Sequence, residues 1–161
     1  MNILIAYASK SGTTETCGHI LVNEMNGHAT LVDLTQTDPL LDEYDVILIG
    51  GPIRFGRLHS SVKKFMKNHL KELKQKEIGL FICCGFAEEA DQYFQNNFPA
   101  ELLEHAIIME CFGGEIRKQA LGIIEFFIAN MAMKSRPADK QPHILNDHIH
   151  LFAERVEATD I

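Results

Sequence analysis

Apolar residues along this chain gather into five short, nearly unbroken runs, and the stretches between them repeat with a helical period. The runs are Met1 to Ala8, Ala29 to Leu34, Asp45 to Gly50, Ile78 to Cys84 and Ala106 to Phe112. Short unbroken runs of this kind predict strands buried on both faces. Helical repeats are predicted over Thr13 to Met25, Ser60 to Leu73 and Ile144 to Val156, with a broken helical region over Glu88 to Leu103 that contains Pro99. Thr35 to Glu43 is a short connection containing Pro39, and Ser135 to Pro142 is a polar linker with two prolines. Strands alternating with helices predict an α/β fold with a parallel sheet covered on both sides. Right-handed crossovers and a ligand loop after the first strand favour the doubly wound order 2-1-3-4-5. The whole chain, 1–161, is expected to form one domain.

One predicted element is extra to a five-stranded unit. Gln119 to Lys134 reads as an apolar helix after strand five. Leu121, Ile124, Phe127, Ile128 and Met131 make a stripe for the core. Ile123, Phe126 and Met133 make a second stripe, interrupted by Glu125 and Asn130. Either this helix is buried under the carboxyl-terminal segment or its second stripe is a docking face, with a homodimer as the foremost docking case. It is too short and too interrupted to span a bilayer.

Composition narrows the classes. The chain has 161 residues, 46% of them hydrophobic, and a formal net charge of −7. That charge argues against non-specific binding of nucleic acid and against attraction to an anionic membrane. No signal peptide precedes the first strand, so a cytoplasmic location is expected. The four cysteines lack the spacing of a disulfide framework and read as buried free thiols, with Cys83 and Cys84 on opposite faces of a strand. His143, His148 and His150 do not share a helical face, so no metal site is expected. Lys63, Lys64, Lys67, Lys71 and Lys74 read as a solvated helix face.

The chemistry gathers where strands end. Ser9-Lys10-Ser11-Gly12-Thr13-Thr14 joins the carboxyl end of strand one to the start of a helix. Helix-start amides lack intrahelical partners and carry partial positive charge, which suits a phosphate. Four hydroxyls around one glycine suit a monoester, wrapped on several sides, better than a pyrophosphate. The loop is neither a Walker A sequence nor a dinucleotide fingerprint, since Gly12 stands alone. A ring attached to that phosphate is expected beside the loops after strands three and four. The first of these, Gly50-Gly51-Pro52-Ile53-Arg54-Phe55-Gly56-Arg57-Leu58-His59, offers apolar surface, two cations and glycines that let backbone approach a flat ligand, unless it is a plain loop whose Phe55 packs into the core. His59 either contacts substrate or caps the next helix. The second, Gly85-Phe86-Ala87-Glu88-Glu89-Ala90-Asp91-Gln92-Tyr93, offers Phe86 or Tyr93 to stack on the ring's other face, unless Tyr93 belongs to the core. No general acid–base pair stands out, so no catalytic residue is assigned.

Ser9-Lys10-Ser11-Gly12-Thr13-Thr14 resembles the phosphate loop of flavodoxins. Ile49 to Ser60 resembles the corresponding loop of flavodoxin-like, menaquinone-dependent protoporphyrinogen oxidases. Phe112-Gly113-Gly114-Glu115-Ile116-Arg117, followed by an apolar helix ending Met131-Ala132-Met133-Lys134, is similar to that family too. The resemblance runs to about Lys134, and Ile53-Arg54-Phe55-Gly56 is its specific part. It implies non-covalent FMN at the switch point between strands one and three. It implies cofactor contacts from Ser9 to Thr14, from Pro52 to Gly56, and from Gly85, Phe86 and Tyr93. In such a site the Gly56 peptide faces flavin N5, and Arg54 or Arg57 balances charge at N1. It also implies electron transfer from a small-molecule or protein donor to a quinone or another acceptor. The family's long basic insertion after strand four has no counterpart here, where Glu88, Glu89 and Asp91 make a short acidic loop that would repel a substrate bearing propionates. Two alternatives follow: a one-electron carrier serving protein partners, and a non-catalytic protein that kept the fold and lost FMN.

Overall fold

A computed structural model describes residues 1–114, 131 and 142–160. Its strands are β1 (Ile3–Tyr7), β2 (Ala29–Asp33), β3 (Val46–Arg54), β4 (Arg57–Leu58), β5 (Glu77–Cys83) and β6 (Ile108–Cys111). Five are parallel in the order β2-β1-β3-β5-β6, and β4 pairs antiparallel with the end of β3. Counting only the parallel strands, this is the expected order 2-1-3-4-5. The helices are α1 (Thr13–Glu24), α2 (Ser60–Asn68), α3 (Leu70–Leu73), α4 (Ala90–Asn97), α5 (Ala100–His105) and α6 (Asn146–Glu157). The expectations placed on Gln119 to Lys134, the docking stripe included, lie outside the described residues apart from Met131.

Alternation along the strands divides the core into two. Leu4, Ala6, Ile47, Ile49, Leu80 and Ile82 pack with Val62, Phe65, Phe94 and Leu102 from α2, α4 and α5. Ile3, Ile5, Leu48 and Phe81 pack on the other face with Leu21 of α1 and with Ile149, Phe152 and Val156 of α6. Phe81, Phe112 and Phe152 form an aromatic cluster there; Phe81 and Phe112 stack with ring centres 4.8 Å apart. This cluster explains a glycine: a Cβ at Gly50 would run into the Phe81 ring, and one at Gly51 would stand 2.9 Å from Val62. These two glycines make room for the core rather than for a ligand.

Three boundaries differ from the sequence pattern. The stretch Ser60 to Leu73 is two helices, because His69 leaves the helical region at φ −109°, ψ 14°. Its ring bonds Asp38 at 2.8 Å and Glu72 at 3.3 Å. The region around Pro99 is also two helices, since Phe98 is pushed to extended backbone before the proline. Finally, β3 does not stop at Gly50 but runs to Arg54 and turns back as a hairpin.

The carboxyl-terminal part returns beside β6. Gly113 forms an isolated antiparallel bridge with Ile144, and the Leu145 amide donates to the Phe112 carbonyl at 2.9 Å. Among the described residues, no helix is long and apolar enough to cross a membrane.

Candidate functional site

Parallel register sets three loops at one edge of the sheet. Tyr7 pairs with Gly50, and Pro52 pairs with Cys83. The loop after β1, the β3–β4 hairpin and the loop after β5 therefore leave the sheet at the same end. That is the end, beside the switch in strand order, where open α/β sheets bind ligands.

The loop after β1 closes on itself before the start of α1. The Gly12 amide donates to Ser9 Oγ at 3.0 Å, which closes the loop. Gly12 itself takes φ 91°, a left-handed conformation that glycine adopts without a Cβ clash. The N-cap residue, Gly12, makes no side-chain cap bond, and the first-turn amides of a helix lack intrahelical partners. Ser9 and Ser11 are half-buried and Lys10 is exposed. Thr13 is 5% exposed and Thr14 1%, yet neither hydroxyl oxygen meets an oxygen or nitrogen partner. Thr14 shares a hydrogen bond with the Cys83 thiol, a weak partner. A buried hydroxyl without a hydrogen bond costs about 1–3 kcal/mol. Thr13 carries that cost in full, and Thr14 in part.

Tyr7, at the end of β1, donates to Glu15 Oε1 at 3.4 Å. Burial, then the charges of Glu15 and Asp33, push its hydroxyl up to about 12, so it stays protonated.

The hairpin brings the second group of residues. Ile53 pairs with Leu58 and Arg54 with Arg57, leaving Phe55 and Gly56 as a two-residue turn. Both have positive φ, 51° and 75°, as a tight hairpin turn demands. Glycine or asparagine is the usual occupant; phenylalanine is strained in this region. Phe55 is also 64% exposed. A strained, exposed aromatic at a loop tip is kept for something other than packing.

Asn97, on α4, holds that turn in place and was not singled out by the sequence. It is 9% exposed. Its Oδ1 accepts from the Leu58 amide at 3.0 Å, and its Nδ2 donates to the carbonyls of Gly56 and Tyr93, each at 2.9 Å. All three hydrogen-bonding positions it uses are on backbone. His59 ends the hairpin and caps α2, its Nδ1 accepting from the Ser61 amide at 3.1 Å. Burial, then the charge of Lys10, lower its pKa, and Asp33 opposes them. The end of the hairpin is thus electrostatically coupled to the loop after β1.

The loop after β5 is the third part. Gly85 lies under Pro142; a Cβ there would stand 3.2 Å from the proline ring. Phe86 is half-buried at the start of a short 3-10 turn over Ala87–Glu89. Tyr93 is half-buried, packs against the core, and donates to Glu89 Oε2 at 2.6 Å. Burial and Glu89 raise its pKa further still. Glu88, Glu89 and Asp91 are exposed and form an acidic rim.

The doubly wound parallel sheet, with the helix start after its first strand and the aromatic-tipped hairpin after its third at one end, defines an α/β protein whose loops meet at the switch point, where such sheets bind ligands. The family model of the flavodoxin domain matches residues 4–143, and the chain belongs to that family. Among curated proteins it is similar to protoporphyrinogen IX dehydrogenase (quinone) of Escherichia coli strain K12, at 29% identity over 77 residues. That alignment covers 45% of this chain and 42% of the relative. Among solved structures, the flavodoxin of Fusobacterium nucleatum bound to flavin mononucleotide superposes with a TM-score of 0.53 at 12% identity, covering 98% of each chain. Rubredoxin oxygen:oxidoreductase of Desulfovibrio gigas gives 0.56 at 11% identity, over 98% of this chain and 35% of that one. At these identities the structural likeness is one of fold.

Proposed function

We propose that this protein binds FMN without a covalent bond and works as a flavin oxidoreductase, passing electrons from a small-molecule donor to a quinone or another acceptor. The observation that carries the reading is the buried, unpartnered hydroxyl of Thr13 at the start of α1, beside the buried hydroxyl of Thr14 with its weak thiol partner. They fit the phosphate of FMN, which brings several acceptor oxygens and a negative charge to a helix start. When bound, FMN supplies a ring that takes up and releases electrons, and the protein supplies binding, orientation and field.

The chain's own residues divide that work. Gly12 to Thr14 hold the phosphate with amides and hydroxyls, and Lys10 adds positive potential at the rim. Ile53 and Phe55 offer apolar surface to the ring, with Arg54 and Arg57 as cations beside it. Asn97 fixes the height of the hairpin. Phe86 and Tyr93 bound the opposite side. The curated relative's quinone chemistry is consistent with this assignment.

One observation favours a second reading, that of an electron carrier for protein partners. The exposed Glu88, Glu89 and Asp91 form a rim that attracts a basic partner and repels a polyanionic substrate.

Titration of apoprotein with FMN and with riboflavin tests the common part. Flavin fluorescence quenching is expected to show FMN bound at least about 100-fold more tightly, as two charge-assisted hydrogen bonds imply. Equal affinity removes the phosphate site and with it the proposal. Anaerobic reduction of the loaded protein with a panel of small-molecule donors, against reduction by a basic reductase protein, then separates the two readings.

A further inference from the structure

Cys84 follows β5 and Cys111 ends β6, and their sulfurs lie 3.4 Å apart. Both thiols are free and buried on the α4 side of the sheet. Backbone bonds fix the pair from both sides. The Cys84 amide donates to the Gly113 carbonyl at 2.9 Å, and the Gly113 amide donates to Cys111 Sγ at 3.4 Å. We propose that Cys84 and Cys111 form a redox couple, a dithiol that hydroperoxides convert to a reversible disulfide.

The roles follow from the surroundings. Hydrogen bonds from the Cys84 thiol and from the Gly113 amide lower the pKa of Cys111 against the opposing effect of burial, which makes it the nucleophile of the two. Cys84, the donor, is pushed up. Cys111 thiolate attacks the terminal, hydroxyl-bearing oxygen of the hydroperoxide; a sulfur–oxygen bond forms to give the sulfenic acid, the oxygen–oxygen bond breaks, and the alkoxide leaves and takes a proton from solvent to become the alcohol. Cys84 then attacks that sulfur; the disulfide forms and water leaves. Two thiols and one hydroperoxide give one disulfide, one alcohol and one water. The sulfurs must close by about 1.4 Å to reach bonding distance.

The opposite face of the sheet holds a contrasting pair. A hydrogen bond with Cys17 and burial push Cys83 well above the ordinary thiol range. Oxidation is expected at Cys84 and Cys111, whose sulfurs already face each other at 3.4 Å. Because Cys84 immediately precedes Gly85, the disulfide would tie the loop after β5 to the end of β6. The couple itself does not depend on FMN binding.

The test treats the full chain with a small excess of hydrogen peroxide, then blocks remaining thiols and digests without reductant. A mass loss of about 2 Da, a cross-linked peptide joining Cys84 to Cys111, and its disappearance with dithiothreitol are expected. Cys17 and Cys83 should be recovered as blocked thiols. Cys84→Ser should halt at a sulfenic acid on Cys111, captured by dimedone. Four blocked thiols after exposure, a Cys17–Cys83 cross-link in its place, or irreversible oxidation of Cys111 in the unsubstituted chain would overturn the proposal. The mapping on the unsubstituted chain decides even if the serine variant fails to fold.

Discussion

The side-chain amide of Asn97 donates to the Gly56 carbonyl at 2.9 Å, binding the tip of the β3–β4 hairpin to α4 across 41 residues of sequence. The same side chain accepts from the Leu58 amide, so one buried residue satisfies both sides of the turn. Without it, a buried amide and a carbonyl would have to find other partners or lose hydration unrepaid.

Asn97→Leu should therefore lower stability by about 1–3 kcal/mol, the cost of leaving buried polar groups unpaired. Urea unfolding measures the loss, and the Leu58 amide should exchange its hydrogen faster in native buffer. Unchanged stability together with unchanged Leu58 exchange would show that the hairpin stands without its brace.

Thr13→Val separates a ligand-binding role from a structural one. The hydroxyl it removes is buried and unbonded, so apoprotein stability should hold or rise, since an unpaired polar atom leaves the core. FMN affinity should fall about tenfold or more, the value of one lost hydrogen bond to a charged acceptor. Riboflavin affinity should not move. A thermal melt and two flavin titrations decide it; a destabilised apoprotein with undiminished FMN affinity would make Thr13 a structural residue.

What the sequence made legible depends on the range of the interactions involved. The five parallel strands could be read because burial on both faces leaves near-continuous apolar runs. The loop from Ser9 to Thr14 could be read because a helix start and its hydroxyls are local. The hairpin was missed because Phe55 and Gly56 lack the usual asparagine or glycine signature at the first turn position. The break at His69 was missed because Asp38, 31 residues away, helps to hold its ring. Gly50 and Gly51 belong by local pattern to a loop whose glycines would let backbone approach a flat ligand, yet the space they leave is taken by Phe81 and Val62. Asn97 carries no local signal at all; only tertiary structure brings it under the turn.

Phe55 is the place to look for a trade between stability and binding. Its backbone sits at φ 51°, and its side chain is 64% exposed, so little packing is lost when it is replaced. Asparagine tolerates left-handed backbone better. Phe55→Asn should leave the apoprotein as stable or more stable by up to about 1 kcal/mol, while weakening binding of FMN and riboflavin alike through lost ring contact. Chemical denaturation and the two titrations test this. A variant that binds flavin as well as its parent would remove Phe55 from the site.

His59 and His69 should give pH effects of opposite sign. His59 accepts a backbone bond through Nδ1, which requires the neutral ring. Burial and Lys10 depress its pKa from 6.5. The unfolded chain then binds the proton more readily than the native one, so His59 supports stability above pH 6.5 and that support is lost as pH falls through the depressed value. His69 is buried too, which lowers its pKa, but its bonds to Asp38 and Glu72 outweigh burial and raise it above 6.5. Its contribution is full below pH 6.5 and is lost as pH rises through the raised value. Urea midpoints measured from pH 5 to 8 on two variants should isolate the terms. His59→Asn keeps a capping acceptor and should be relatively more stable than its parent on the acid side. His69→Gln should be relatively less stable than its parent on that same side and converge with it toward pH 8. Parallel pH profiles for the parent and His59→Asn would mean that the neutral ring is not what caps α2.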